Sequence, residues 1–472
     1  MKKTKIIATV GPVTQSKEQL EKMYHSGVNI VRFNFSHATF DVAKPIADTI
    51  KELNKEGKTQ LSLLLDTKGP EIRTGIVEKK IELIAGNNVK IVVDDAKRGE
   101  DDIFCDYEYL LEDIKVGETI IIDSGLCNVR VKEIHNDFLI GEVLNTCIIG
   151  SKRHINLPGV KLKLPGITSK DKEDVLFAIE NDYDFIAMSF VRNKENIQEL
   201  RDILKEYSAT HIKIISKIEN QEAIENLEEI IQHSDGVMVA RGDLGIEVPI
   251  EKLPFYQKEI AKLCLKYGKF FIIATHLLET MIENPFPTRA EVSDIYNSVM
   301  ASADCTMLSG ETTTGKYPIE SIQMMAKVII ETEKGVQNIH NEFSNNGLNT
   351  RDIEKKSLIK HAISIAEELD AKAIIILTKT GLLARLAAAF RPNIDVYAFT
   401  KTTKSLNFMN ILYGIKPKML ESWNDDYMNN VEGAIEKLKK ENNIIAGDKV
   451  IAVSDIQKHG KEFPIIEIIE VE

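Results

Sequence analysis

No apolar run in the 472-residue chain approaches the roughly 18–20 residues that span a membrane as a helix. The segment MKKTKIIATVGP has an apolar core of about five residues, short of the ~7–15 of a secretory leader. Basic excess is missing too: the net charge of −12 argues against general binding to nucleic acid or to an anionic membrane. An anionic ligand would need a local cluster of Lys and Arg set against that field. The five cysteines (Cys105, Cys127, Cys147, Cys264, Cys305) are scattered and odd in number, with no Cys-x-x-Cys pair. That pattern excludes a zinc knuckle and favours free, reduced thiols over a disulfide framework. Internal repeats and low-complexity tracts are also lacking. The expectation is a soluble, cytoplasmic chain of two to four domains, since its length exceeds one ordinary core.

Short apolar runs recur at residues 6–10, 28–33, 61–65, 185–190, 212–218, 236–240, 270–274 and 305–308. Between most of them lie helical patterns such as SKEQLEKMYHSG, KENIQELRDILKEYS and PFYQKEIAKLCLKYG. This alternation predicts βα units around a parallel sheet, and eight strands in series predict a (β/α)8 TIM barrel. From about 70 to 165 the pattern changes to strand–turn–strand, with Gly-Asn-Asn, Asp-Ser-Gly and His-Asn-Asp as turn-formers. We therefore expect a barrel over 1–69 and 166–345, an inserted β-barrel domain over 70–165, and a C-terminal α/β domain over 346–472.

In such a barrel chemistry gathers where the strands end. The second strand ends in Arg32, Asn34, Ser36 and His37, and the third in Asp66, Thr67 and Lys68. The fifth delivers Lys217 and Glu219, the sixth Arg241, Gly242 and Asp243, and the seventh Thr275 and His276. The eighth ends in Ser309, Gly310 and Glu311. A solvated strand end explains any one of these. Shared position on one rim, directly after apolar residues, points instead to paired or ion-bound groups. Period two puts Lys217 and Glu219 on the same face, and Glu219 with Asp243 can offer two carboxylates to Mg²⁺. A plain Lys217–Glu219 ion pair remains the alternative. Arg32, Arg73 and Lys217 suit a phosphoryl dianion. Asn34, Ser36, Asp66 and Thr67 form an oxygen set suited to a monovalent cation.

In order along nearly the whole chain, TKIIATVGP, VRFNFSH, LLLDTKGPEIRTG, INLPG, ISKIEN, VARGDLGIE, PTRAEVSD and MLSGETTTGKYP resemble the signatures of the pyruvate kinase family. The resemblance implies phosphoryl transfer from phosphoenolpyruvate to ADP, giving pyruvate and ATP in the last step of glycolysis. It implies catalytic Lys217, Arg73 and Thr275, with Arg32, Lys217, Gly242, Asp243 and Thr275 on the substrate. Mg²⁺ (or Mn²⁺) would sit on Glu219 and Asp243, and K⁺ on Asn34, Ser36, Asp66 and Thr67. Asn34, His37, Arg73 and Lys152 would contact nucleotide beneath a closing lid, with Arg153 beside Lys152. Glu71 fits the K⁺-dependent branch, because relatives that dispense with the ion tend to carry Lys there. A homotetramer is implied as well. His276 and Ala301-Ser302 depart from the family pattern. So does TKTGLLARL, whose loss of polar residues argues against activation by fructose 1,6-bisphosphate, although Thr378–Gly381 could hold an anion through backbone amides. Two rival readings are a Mg²⁺-dependent aldolase or lyase on a similar barrel and a catalytically silent ligand-binding regulator.

Overall fold

The computed structural model describes residues 2–335, 342–424, 426–458 and 461–472. Eight parallel strands close into a barrel: Lys5–Thr9, Ile30–Asn34, Ser62–Asp66, Phe185–Met188, Lys213–Ile218, Gly236–Ala240, Phe270–Ala274 and Cys305–Leu308. All eight coincide with the apolar runs read from the sequence. Such runs stand out because strands covered on both faces carry little polar interruption. Leucines 63–65 show the two faces at work. Leu63 and Leu65 pack outward against the helices with Val31 and Phe33, whereas Leu64 points inward with Ile7, Ile30 and Ile215. That inner cluster continues through the base of the barrel into Ile359, Ile374 and Leu383 of the C-terminal domain.

The chain leaves the barrel after the third strand and returns through the Ser169–Glu180 helix, which opens with a Thr168–Asp171 capping box. In between, seven strands form one sheet and Ile81–Leu83 pairs with Cys147–Ile149 in a second. The larger sheet runs from Ile72–Arg73 at one edge to Ile103–Phe104 at the other, and it curls until a single bridge joins Thr74 to Cys105. Its core is Ile91, Val129, Leu139 and Ile155 with their neighbours.

Reduced thiols throughout were expected, and here the structure differs. Cys127 and Cys147 are joined, with Cα atoms 5.6 Å apart, within disulfide range. The cause is the turn between Cys127–Ile134 and Phe138–Val143, which carries the chain back so that Leu144 N donates to Asn128 O. Sequence spacing of twenty residues does not disclose that return. Cys105, Cys264 and Cys305 are free and buried.

The C-terminal sheet runs Ile415–Met419, Asp395–Thr400, Ala373–Leu377, Lys449–Lys458 and Lys461–Glu470, the last strand antiparallel. SDIQKHGKEFP, expected as a loop, is mostly hairpin strand; its tip, residues 459–460, lies outside the described residues. Residue 341, in the polar stretch before this domain, lies outside them as well. Among the described residues no helix is long and apolar enough to cross a membrane.

Candidate active site

Parallel pairing sets the second and third strands in register, so Asn34 lies opposite Asp66 at the rim. Arg32 donates from Nε to Asp66 Oδ2 at 2.6 Å and from Nη1 to Thr9 Oγ1 at 2.9 Å. Lys217 reaches the same carboxylate from across the barrel, its Nζ 3.1 Å from Asp66 Oδ1 and 2.9 Å from Glu219 Oε1. The ammonium also donates to Ser189 Oγ at 2.8 Å. All four charged groups are buried. Burial disfavours the Lys217 ammonium, but Asp66, Glu219 and Asp243 overcome it and raise its pKa above the ordinary lysine value. Burial likewise opposes the Asp66 carboxylate, yet Lys217 and Arg32 hold it below its usual range. These groups stay charged.

Glu219 differs from Asp66. Burial pushes its carboxyl up to about 7; Lys217 opposes this while Asp243 adds to it. Oε2 accepts from Phe190 N at 2.7 Å, whereas among the described residues the buried Oε1 faces only the Lys217 ammonium, at 2.9 Å. One lysine thus does not cancel the cost of that carboxylate. A hard divalent cation held by Glu219 Oε1 and the Asp243 carboxylate would relieve it, so the donor set fits Mg²⁺. For K⁺, the candidate oxygens are Asn34 Oδ1, which accepts only from Ser36 N within its own turn at 3.2 Å, Ser36 Oγ and Asp66. Thr67 turns its hydroxyl toward Ala187 O and Ser189 N, so the oxygen it could offer is its carbonyl, which also accepts from Ser189 Oγ at 2.6 Å. These oxygens fit a monovalent cation.

The seventh strand ends in a strained turn. Thr275 and His276 both occupy the left-handed region, at φ 67° and 55°, costing roughly 1–2 kcal/mol per residue. Arg241 holds that turn: Nε donates to Ala274 O at 3.3 Å and Nη2 to Thr275 O at 2.5 Å, while Nη1 grips both Asp294 oxygens at 2.7 and 2.6 Å. As a result Thr275 Oγ1 stands over the start of the Arg241–Glu247 helix, accepting from Gly242 N at 2.9 Å and donating to Ala274 O at 2.7 Å. Amides in a helix's first turn have no intrahelical acceptor and favour negative charge nearby; here Gly242 N is met by the Thr275 hydroxyl.

Arg73 stands apart from Arg32 and Lys217. Its Nη2 and Nε bind Glu71 Oε2 at 2.6 and 2.8 Å, and Nη1 binds Lys152 O at 2.9 Å. Asn34 and His37 line a cavity of about 510 Å³ with Pro12, Arg32 and Ser309. Lys152 is exposed across the inserted sheet and is not part of that lining.

The structure therefore brings Arg32, Asp66, Lys217 and Glu219 into one cluster, and Gly242 with Thr275 into another. Sequence reasoning missed Ser189 and the Arg241–Asp294 clamp. Ser189 directly follows the fourth strand and was open to the same strand-end rule; Asp294 lies 53 residues from Arg241 and carries no local signal.

Comparison with known proteins gives matches over both parts of the chain. Residues 1–322 match the family model "Pyruvate kinase, barrel domain" and residues 356–466 match "Pyruvate kinase, alpha/beta domain". A pyruvate kinase of Staphylococcus epidermidis is 40% identical over 467 residues, covering 97% of this chain and 78% of that protein. One from Bacillus licheniformis is 40% identical over 423 residues, covering 88% and 71%. A crystal structure of a pyruvate kinase from Cryptosporidium parvum superposes with a TM-score of 0.93 at 36% identity, covering 100% of this chain and 96% of that one.

Proposed function

The chain belongs to the pyruvate kinase family of glycolytic phosphotransferases, and on that premise we propose how its own residues carry phosphoryl transfer from phosphoenolpyruvate to ADP. The observation that carries the reading is the buried ammonium of Lys217, kept charged between Asp66 and Glu219 at the barrel mouth. Lys217 and Arg32 neutralise the phosphoryl group and Lys217 stabilises the enolate that remains. Arg73 joins them by exchanging Glu71 for phosphoryl oxygens. The first-turn amides at Gly242 and Asp243, with Thr275 Oγ1, hold the substrate carboxylate. To take part in a proton relay, Thr275 must turn its hydroxyl away from Ala274 O. A lone threonine hydroxyl is a poor acid, so water shares that relay.

Glu219 and Asp243 would hold Mg²⁺ or Mn²⁺, which supplies positive charge to phosphoryl and enolate oxygens when bound. Asn34, Ser36, Asp66 and Thr67 would hold K⁺. Asn34, His37, Arg73 and Lys152 would contact nucleotide, with residues 70–165 acting as a lid on a barrel of 1–69 and 166–345, and 346–472 as the C-terminal domain. Residence in the cytoplasm and assembly as a homotetramer complete the proposal. Little of the catalysis is covalent; charge and position carry it.

The test is pyruvate formation from phosphoenolpyruvate, ADP and Mg²⁺, followed through lactate dehydrogenase with and without K⁺. K⁺-stimulated turnover that Lys217→Met lowers at least ~1,000-fold supports both the roles and the cation site, because preorganised charge is the main lever here. Full turnover in K⁺-free buffer would remove the K⁺ assignment. Undiminished activity of Lys217→Met would remove the lysine's role.

A further inference from the structure

The inserted sheet meets the barrel at a polar contact that none of the roles above uses. Asn156 ends the His154–Asn156 strand, the last of the inserted sheet in chain order, and is buried. Its Nδ2 donates to Oε1 of Glu247 at 2.7 Å. Glu247 is the last residue of the helix whose first turn holds Gly242 and Asp243. The pair sits in a crevice of about 50 Å³, lined also by Pro70, His154, Phe190 and Glu222, with room for only a few waters. Among the described residues Asn156 Oδ1 has no hydrogen-bond partner. Burial, with some help from Asp243, lifts the Glu247 carboxyl to about 7, so a single amide donor stands in for its lost hydration.

The topology makes this contact consequential. The Asn156 strand pairs with Ile72–Arg73, His154 facing Arg73 and Ile155 facing Ile72. A displacement of Asn156 is therefore passed directly to Arg73, while Glu247 is rigidly joined through one short helix to Gly242 and Asp243. We propose that Glu247 is a positioning residue: through Asn156 it sets the angle of the inserted sheet over the barrel mouth and so the place of Arg73 relative to the Gly242–Asp243 turn. The proposal rests on the functional reading above for the role of Arg73, but the geometric half stands without it.

Two readouts separate the two. Spin labels on Val116→Cys and Phe255→Cys, both at strongly exposed positions, report the distance from inserted sheet to barrel. Steady-state kinetics report turnover. Glu247→Ala and Asn156→Ala should each broaden the distance distribution and lower kcat/KM on the order of 10-fold, and the double variant should be no worse than either, as expected for one shared contact. Glu247→Gln keeps an acceptor for Asn156 and should restore both readouts to within about twofold of the parent. The proposal is overturned if Glu247→Ala and Asn156→Ala leave the distances unchanged, or if Glu247→Gln is as impaired as Glu247→Ala. Should Glu247→Ala fail to fold, Asn156→Ala probes the contact from the other side. Altered distances in a protein whose parent makes no pyruvate would uphold the latch and sink the functional reading instead.

Discussion

Single residues in this site act through what holds them. Lys217 is aimed by three oxygens, of which Ser189 Oγ is the only neutral one. Removing that hydroxyl leaves the ammonium charged, since Asp66 and Glu219 remain, but frees it to lean toward either carboxylate. A hydrogen bond to a charged group is worth about 1.5–3 kcal/mol. Ser189→Ala should accordingly lower kcat by roughly 10- to 100-fold with a smaller change in KM, because positioning matters most in the transition state. Steady-state kinetics of that variant would test this; a rise in KM at constant kcat would show that Ser189 serves ground-state binding alone. A departure noted in the sequence also gains a physical account at this scale. Ser302 sits at φ 65°, a conformation glycine adopts without cost, and its carbonyl accepts from Arg391 Nη2 at 3.1 Å. The departure at Ser302 is therefore a matter of local backbone at the barrel's base.

At the scale of elements, the clamp of Arg241 on the Arg289–Met300 helix keeps the strained Thr275–His276 turn in place. Asp294→Ala removes a bidentate, partly exposed partner worth about 1–2 kcal/mol. The expected outcome is a KM for phosphoenolpyruvate raised roughly tenfold with kcat less affected, if the turn presents Thr275 to the substrate carboxylate as proposed. An unchanged KM would show that the turn holds itself. Legibility divides along the same line. The barrel strands were readable because burial on both faces leaves pure apolar runs, and the rim residues because polar groups follow those runs at once. Only the distal part of the Lys449–Lys458 and Lys461–Glu470 hairpin, SDIQKHGKEFP, reads as a loop, because it is polar, yet backbone pairing continues into it. Pairings between distant elements, such as Arg241 with Asp294, Cys127 with Cys147 and Asn156 with Glu247, depend on crossovers and turns that a linear pattern does not encode.

The whole molecule is joined at the barrel's base, opposite the site, by buried polar groups. Arg391 of the C-terminal domain pairs with Asp304 at 2.6 Å, and Asp304 also accepts from Phe271 N and Tyr413 N. Asp184, before the fourth strand, accepts from Leu63 N at 2.8 Å and from Asn407 Nδ2 of the C-terminal domain at 3.0 Å. Among the described residues no cation forms an ion pair with it, and burial raises its carboxyl to about 7 from 3.8. A carboxyl whose folded pKa exceeds the unfolded one binds its proton more tightly when folded. Its stabilising contribution is complete below about pH 4 and is lost as pH rises through about 7. Asp184→Asn abolishes that titration and keeps both contacts if the Asn407 amide turns to accept. The variant's melting temperature relative to the parent should therefore climb between pH 5 and pH 8, by the equivalent of a few kcal/mol at most. Thermal unfolding at those two pH values decides it: a difference that stays constant would mean that the Asp184 carboxyl is already ionised in the folded protein at pH 5, held charged at the joint between barrel and C-terminal domain, and would overturn the prediction.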